Sequence, residues 1–303
     1  MRNPITLRLA LLMSMPPLMW AGNAVVGRTL VGSVGPMTLN ALRWWIALVL
    51  LLPLGWRVLR RPHDIAARWK HLALLGLLGV GSYNALQYLA LQTSTPINVT
   101  LIASSSPVWV LLFGALFYGE KVGALQWAGA VLSLSGVGLA LSRGSVDALL
   151  QIRFVAGDLY VLLAIALWAP YSWQLARPPP AMRGAARPAW NWAEFLLAQV
   201  VFGALWASLA AAAEAQLAPM PIAWSAGLVA ALLYIAVGPS LIAYRCWGLG
   251  VADAGPAAAA FFSNLTPVFA ALLSAGLLGE LAQWYHAVAF GLIVAGIMVS
   301  SRR

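Results

Sequence analysis

Ten apolar runs of about 20 residues, the length a helix needs to cross the hydrocarbon core of a bilayer, follow one another along this chain. They fall at roughly 7–27, 37–56, 71–91, 97–118, 123–142, 157–176, 192–213, 225–248, 256–278 and 284–301. They use up nearly all 303 residues and leave only short connections, with no room for an ATPase or a solute-binding soluble domain. Charged residues make up 9% of the chain, against about 25% in soluble domains, and the mean hydropathy is +0.85. The expected fold is an all-α integral membrane protein with ten transmembrane helices.

Within these runs the chain repeats itself. Pro96, Pro107-Val108, Gly119-Glu120 and Gly136 recur 160 residues later as Pro256, Pro267-Val268, Gly279-Glu280 and Gly296. Trp20-Ala21 matches Trp168-Ala169 at a spacing of 148, the difference falling on the Arg- and Pro-containing connections 57–70 and 177–188. The pattern predicts two five-helix units, 1–145 and 155–303. Five is odd, so the second unit enters the membrane with the opposite orientation, and a substrate site is expected near mid-bilayer where the two inverted repeats meet.

The net charge of +10 could suggest nucleic acid, but its distribution follows the membrane. With a cytoplasmic N-terminus, thirteen basic residues fall in inside segments (Arg2, Arg8, Arg57, Arg60, Arg61, Arg68, Lys70, Lys121, Arg177, Arg183, Arg187, Arg302 and Arg303). Only Arg28, Arg143 and Arg153 fall outside, and Arg43 and Arg245 lie within helices. This positive-inside bias places both termini in the cytoplasm. The first run follows Arg2 and Arg8 as a signal peptide would, yet its length and its match in the second unit predict that it is retained. The single cysteine, Cys246, excludes an intrachain disulfide.

The two Pro-Val…Gly-Glu…Gly segments, 107–136 and 267–296, and the paired Trp-Ala of helices one and six carry a family resemblance that covers the whole chain. The chain resembles a ten-helix member of the drug/metabolite transporter superfamily, of the EamA type, and among these it looks closest to bacterial exporters of aromatic amino acids. The resemblance implies a multi-pass carrier of the bacterial inner membrane that exports amino acids, metabolites or drugs; the repeat motif itself does not name the substrate. It also suggests a structural part for Glu120 and Glu280.

On an ideal helix at about 100° per residue, Tyr83, Asn84, Gln87 and Tyr88 fall at about 0°, 100°, 40° and 140°, one polar and aromatic stripe. Amides left in lipid would cost several kcal/mol, so the stripe should face protein or a water-filled cavity. Asn98, Ser105 and Trp109 share a face of helix four; Trp20 and Asn23 on helix one match Trp168 and Tyr171 on helix six. With Asn264 beside Pro267, these are the candidate substrate-binding residues. The competing assignment for each is inert helix packing. Arg43, about 9 Å inside helix two, either meets a substrate carboxylate or is a structural or interfacial charge; Arg245 is expected to snorkel. Trp44, Trp45, Trp56, Trp69, Trp127, Trp190, Trp192, Trp224 and Trp284 lie near helix ends and are expected to be interfacial anchors. Pro16-Pro17, Pro107, Pro170, Pro239 and Pro267 should kink helices. Gly76, Gly79, Gly129, Gly136, Gly138, Gly291 and Gly296 should allow close helix contacts.

No Asp or Glu falls mid-helix, and His63, His71 and His286 are scattered. The expectation is therefore a carrier without metal or cofactor, a facilitator or exchanger rather than a proton-driven antiporter. Its partners are expected to be a small-molecule substrate, most plausibly an aromatic or other neutral amino acid, and membrane lipid, with no nucleic acid and a monomeric state. A multidrug exporter is the competing transport function. An integral-membrane enzyme would need a catalytic constellation that the sequence lacks. A membrane scaffold would not need amide and aromatic stripes, and a sugar-phosphate exchanger would need several cavity Lys or Arg.

Overall fold

The computed structural model describes residues 6–94, 99, 102–142, 144–145, 147, 150, 155–278 and 283–301. Pro96, Asn98, Gly279 and Glu280 lie outside the described residues. The described secondary structure is helical, and seven helical segments are long and apolar enough to cross a membrane. These are α1 (Leu7–Thr29), α2 (Pro36–Arg60), α3 (Trp69–Ala90), α6 (Ala156–Ala176), α7 (Trp192–Leu217), α8 (Ala226–Ala254) and α10 (Trp284–Ser301). Between them lie the shorter apolar helices α4 (Ser106–Tyr118) and α5 (Ala124–Leu141). Segment α9 consists of Pro256–Phe262, a 3-10 turn Ser263–Leu265 and Thr266–Leu278.

Capping residues fix where the helices begin. Thr6 accepts from the Leu9 N–H to start α1. Asn191 accepts from Ala193 and Glu194 N–H while Glu194 reaches back to the Asn191 N–H at 2.7 Å, a capping box that opens α7. The acids near helix starts thus serve the helix ends, as their positions suggest. Gly119 ends α4 in a left-handed conformation at φ 64°, and Glu120 pairs with Arg177 at the end of α6. In this copy the repeated Gly-Glu pair is a structural turn.

Glu214 has a role the sequence does not show. Near the end of α7, it accepts from the Met37 and Thr38 N–H groups at 3.0 and 2.9 Å and from the Thr38 hydroxyl at 2.8 Å, capping α2 from a neighbouring helix. Glu214→Ala should cost about 1–2 kcal/mol and lower the unfolding temperature by a few degrees, read by thermal melting in detergent. An unchanged melting temperature would show the cap to be redundant.

The helix pairing is reciprocal between the halves. α1 packs on α8 and α9, and α6 packs on α3 and α4; α2 packs on α7, and α5 on α10. Both α3 and α8 are interrupted by a π-helical stretch, Gly76–Ser82 and Ala236–Ile242, which lie 160 residues apart like the sequence motifs. Each π-turn lifts carbonyls out of the regular ladder, and side chains collect them. Asn40 donates to the Val80 and Gly81 carbonyls, Tyr244 to that of Gly79, Ser240 to that of Ile235 and Trp20 to that of Pro239.

Prolines divide into two groups. Pro16, Pro17, Pro53 and Pro170 lie inside helices, and Pro239 inside the second π-turn. Pro107 and Pro267 each sit in the first turn of a helix, where the missing N–H has no partner to lose, and each follows a break in its apolar run, at the turn 104–105 and at the 3-10 turn Ser263–Leu265. Of the glycines expected at contacts, Gly138 and Gly291 face no neighbouring atom within 4 Å. Gly129, Gly136 and Gly296 form the seam between α5 and α10: a Cβ on Gly136 would lie 2.8 Å from the Ala289 carbonyl oxygen.

Candidate functional site

Arg43 is fully buried, which corrects the alternative of an interfacial charge. Its position on α2 points the guanidinium between α1, α3 and α8. Nε and Nη2 donate to the Ser240 hydroxyl at 3.0 and 2.7 Å, and Nη1 donates to Tyr88 at 2.8 Å and to Asn23 Oδ1 at 3.5 Å. The Tyr88 hydroxyl donates to Asn23 Oδ1 at 2.7 Å, and Asn23 Nδ2 donates to Asn84 at 3.2 Å and Gln87 at 3.5 Å. The amides expected on the inward stripe therefore meet in one network around a cation.

Among the described residues no carboxylate pairs with Arg43. Glu214, Glu194 and Asp158 serve helix starts, and Asp64 and Glu120 pair with Arg68 and Arg177 at helix ends. A buried cation held only by neutral oxygens carries a desolvation cost that an anionic partner would offset. The π-turn supplies one such oxygen, since Ser240 is oriented by its own bond to the Ile235 carbonyl.

Beside this network lies a cluster of aromatic rings. Trp20 and Trp168, the matched residues of the two copies, touch edge to face at 5.4 Å. Trp168 also packs on Tyr83 at 5.1 Å, Tyr171 at 4.7 Å, Trp247 at 5.3 Å and Tyr244 at 5.7 Å, and Tyr244 reaches Trp44 at 5.1 Å. Arg43 lies over the faces of Trp44 and Tyr88 at 5.2 and 5.9 Å, so the charge and the rings adjoin. The indole N–H groups of Trp44 and Trp247 are buried without an acceptor.

The structure thus unites Trp20, Asn23, Arg43, Tyr83, Asn84, Gln87, Tyr88, Trp168 and Tyr171. The rings pack against one another, and two cavities of about 730 and 520 Å³ lie elsewhere. Ser105 is turned onto the Ile102 carbonyl of its own turn at 2.6 Å, and Trp109 packs half-buried among apolar side chains. Asn264 is fully buried in the 3-10 turn of α9 with neither amide atom partnered.

Four members were not foreseen: Trp44, Ser240, Tyr244 and Trp247. Trp44 was expected as an anchor, but it is fully buried, whereas its neighbour Trp45 is exposed. Adjacent residues on a helix point about 100° apart. Trp190 is likewise no free anchor; it is half-buried beneath Arg68. The remaining seven expected anchors are exposed. Arg245 lies over the Trp192 ring at 5.0 Å. Tyr244 and Trp247 had a signal, because adding the repeat spacing of 160 to Asn84 and Gln87 lands on them.

The EamA-like transporter family matches this chain twice, over residues 7–142 and 155–302. The chain belongs to the EamA-like transporter family. As an EamA-like protein it has transporters as relatives. It is 28% identical over 97% of both chains to an uncharacterized transporter of Archaeoglobus fulgidus. It is 26% identical to the aromatic amino acid exporter YddG of Ancylobacter novellus, over 94% of this chain and 93% of that one. A solved crystal structure, 23% identical over 96% of both chains, superposes with a TM-score of 0.74 and shares the fold. Relatives are named as inner-membrane transporters, and this EamA-like chain is a multi-pass protein of the bacterial inner membrane.

Proposed function

We propose that this protein is a secondary carrier that exports aromatic and other neutral amino acids by alternating access between two inverted five-helix repeats, 1–145 and 155–303. In this reading ten segments cross the membrane, both termini are cytoplasmic, and the chain works as a monomer. The observation that carries the substrate class is the fully buried Arg43, with no carboxylate partner among the described residues, beside a cluster of seven aromatic rings. An aromatic amino acid supplies both missing parts, a carboxylate for the guanidinium and a ring for the cluster. The reciprocal helix pairing and the double family match support the repeat arrangement, and the name of the Ancylobacter relative supports the substrate. Because the rings now fill their own space, a substrate ring must part them, and the two π-turns beside them supply backbone that can shift.

The test is uptake of radiolabelled Trp, Phe, Thr and Ala into proteoliposomes, with and without a pH gradient. Uptake of Trp and Phe without a gradient is expected, falling at least about tenfold in Trp168→Ala, which removes the ring at the centre of the cluster. No uptake of any amino acid, with transport of apolar drugs instead, would replace this reading with a multidrug exporter.

A further inference from the structure

The cavity of about 730 Å³ lies where the last turn of α6, the connection 177–190, the first turns of α7 and the end of α8 meet. Its walls offer donors without acceptors. Among the described residues Arg183 and Arg187 line it as exposed guanidiniums with no ion pair, and Trp190 lines it with its indole N–H shut off from the open space. Arg177 is already taken by Glu120 and the Tyr118 carbonyl. Among the described residues no Asp or Glu lines the space, while Leu175, Phe195 and Val251 give it an apolar wall.

The arginines are held on a fixed support. Arg68 donates to the Ala181 and Ala186 carbonyls at 3.0 and 2.6 Å and lies over the Trp190 ring, and Met182 is buried beneath the connection. The cavity also has a definite relation to the aromatic cluster. Leu175 follows Tyr171 by four residues on α6, and Val251 follows Trp247 by four on α8, so each wall continues a face of the cluster one turn, about 5.4 Å, further along.

We propose that this cavity is a second binding subsite, where the carboxylate of an amphipathic solute docks on Arg183 and Arg187 before its ring passes to the cluster. This deepens the transport reading and rests on it for the route, although not for the anion site. Two unpaired guanidiniums in a cleft concentrate anions at its mouth, and their fork geometry suits a carboxylate.

Tryptophan uptake into everted membrane vesicles, which present the arginine-rich face, and into right-side-out vesicles tests the route. In R183Q/R187Q the half-saturating concentration should rise about threefold in everted vesicles, with the maximal rate kept and the difference shrinking at high salt. Right-side-out vesicles should keep their half-saturation while their maximal rate falls by the same factor, because a passive carrier holds the ratio of the two equal in both directions. In everted vesicles an unchanged half-saturation or a loss of maximal rate alone, or a rise of half-saturation that is equal on both faces, would overturn the proposal. So would an effect seen only as lost dependence on phosphatidylglycerol in phosphatidylcholine vesicles, which would make the anion a lipid headgroup. If the wild type carries no amino acid, the transport reading fails by itself. Calorimetry with indole-3-acetate and neutral indole-3-acetamide then judges the cavity: a preference for the acid that the double variant loses supports the site, and one that it keeps overturns it.

Discussion

Arg43→Met should abolish transport of amino acids while leaving the protein folded and at least as heat-stable as the wild type. Arg43 is fully buried, and its contacts are to hydroxyl and amide oxygens that keep partners of their own. Without it, Tyr88 still donates to Asn23, Asn23 to Asn84, and Ser240 to the Ile235 carbonyl. Replacing a buried charge by an apolar side chain of similar volume is often neutral or stabilising, because the cost of taking the cation out of water disappears. Transport behaves in the opposite way. A substrate carboxylate brought against an apolar side chain would be buried unpaired, at a cost of about 3–5 kcal/mol, or roughly two to four orders of magnitude in uptake efficiency. Uptake of tryptophan into proteoliposomes and thermal melting of the same preparation separate the two quantities. Transport within threefold of wild type would make Arg43 a structural charge; a protein that fails to fold would make it a structural necessity. Either result would remove the basis for the carboxylate reading.

The contrast between stability and transport at Arg43 also shows what the sequence could reveal. A lone arginine in an apolar run is visible at once, but its partners come from α1, α3 and α8, and Ser240 is recruited only because the π-turn rotates it inward. The helix-three stripe was legible because it is a local pattern of four residues on one face. The matching face of α8 was coded in the same repeat, as Tyr244 and Trp247, yet aromatic residues in place of amides hid the correspondence. Trp44 and Trp45 show the limit of reading by depth alone: both lie in the same turn of α2, but one faces the cluster and the other is exposed. Glu214 lies beyond any local rule, since it caps a helix that begins 178 residues earlier, at Pro36. Asn98 lies outside the described residues, and its part in the site stays a proposal.

The second large effect concerns the seam between α5 and α10 and leaves the site untouched. Gly136→Val should sharply reduce the folded protein, while Gly138→Val, two residues away on the same helix, should be tolerated. A Cβ on Gly136 would lie 2.8 Å from the Ala289 carbonyl oxygen, 2.9 Å from Leu292 Cβ and 3.0 Å from Ile293 Cγ1, and two of these atoms cannot swing aside by rotating a side chain. At Gly138 a Cβ meets nothing within 4 Å. In a membrane, helices associate through close packing rather than through the hydrophobic effect, so widening a glycine seam removes the contacts that hold the pair. Overpacking alone costs about 1–3 kcal/mol, and valine adds two methyl groups beyond the Cβ that already clashes. At Gly138 the same change removes only the backbone entropy of a helical glycine, which is stabilising if anything. The yield of monodisperse protein by size-exclusion chromatography after heating reads the difference. The material that survives in Gly136→Val should bind and carry substrate with normal half-saturation, because the seam lies apart from Arg43 and the aromatic cluster. Equal yields for the two variants would mean that α5 and α10 do not meet backbone to backbone, and the reciprocal pairing that supports the two-repeat arrangement would lose one of its members.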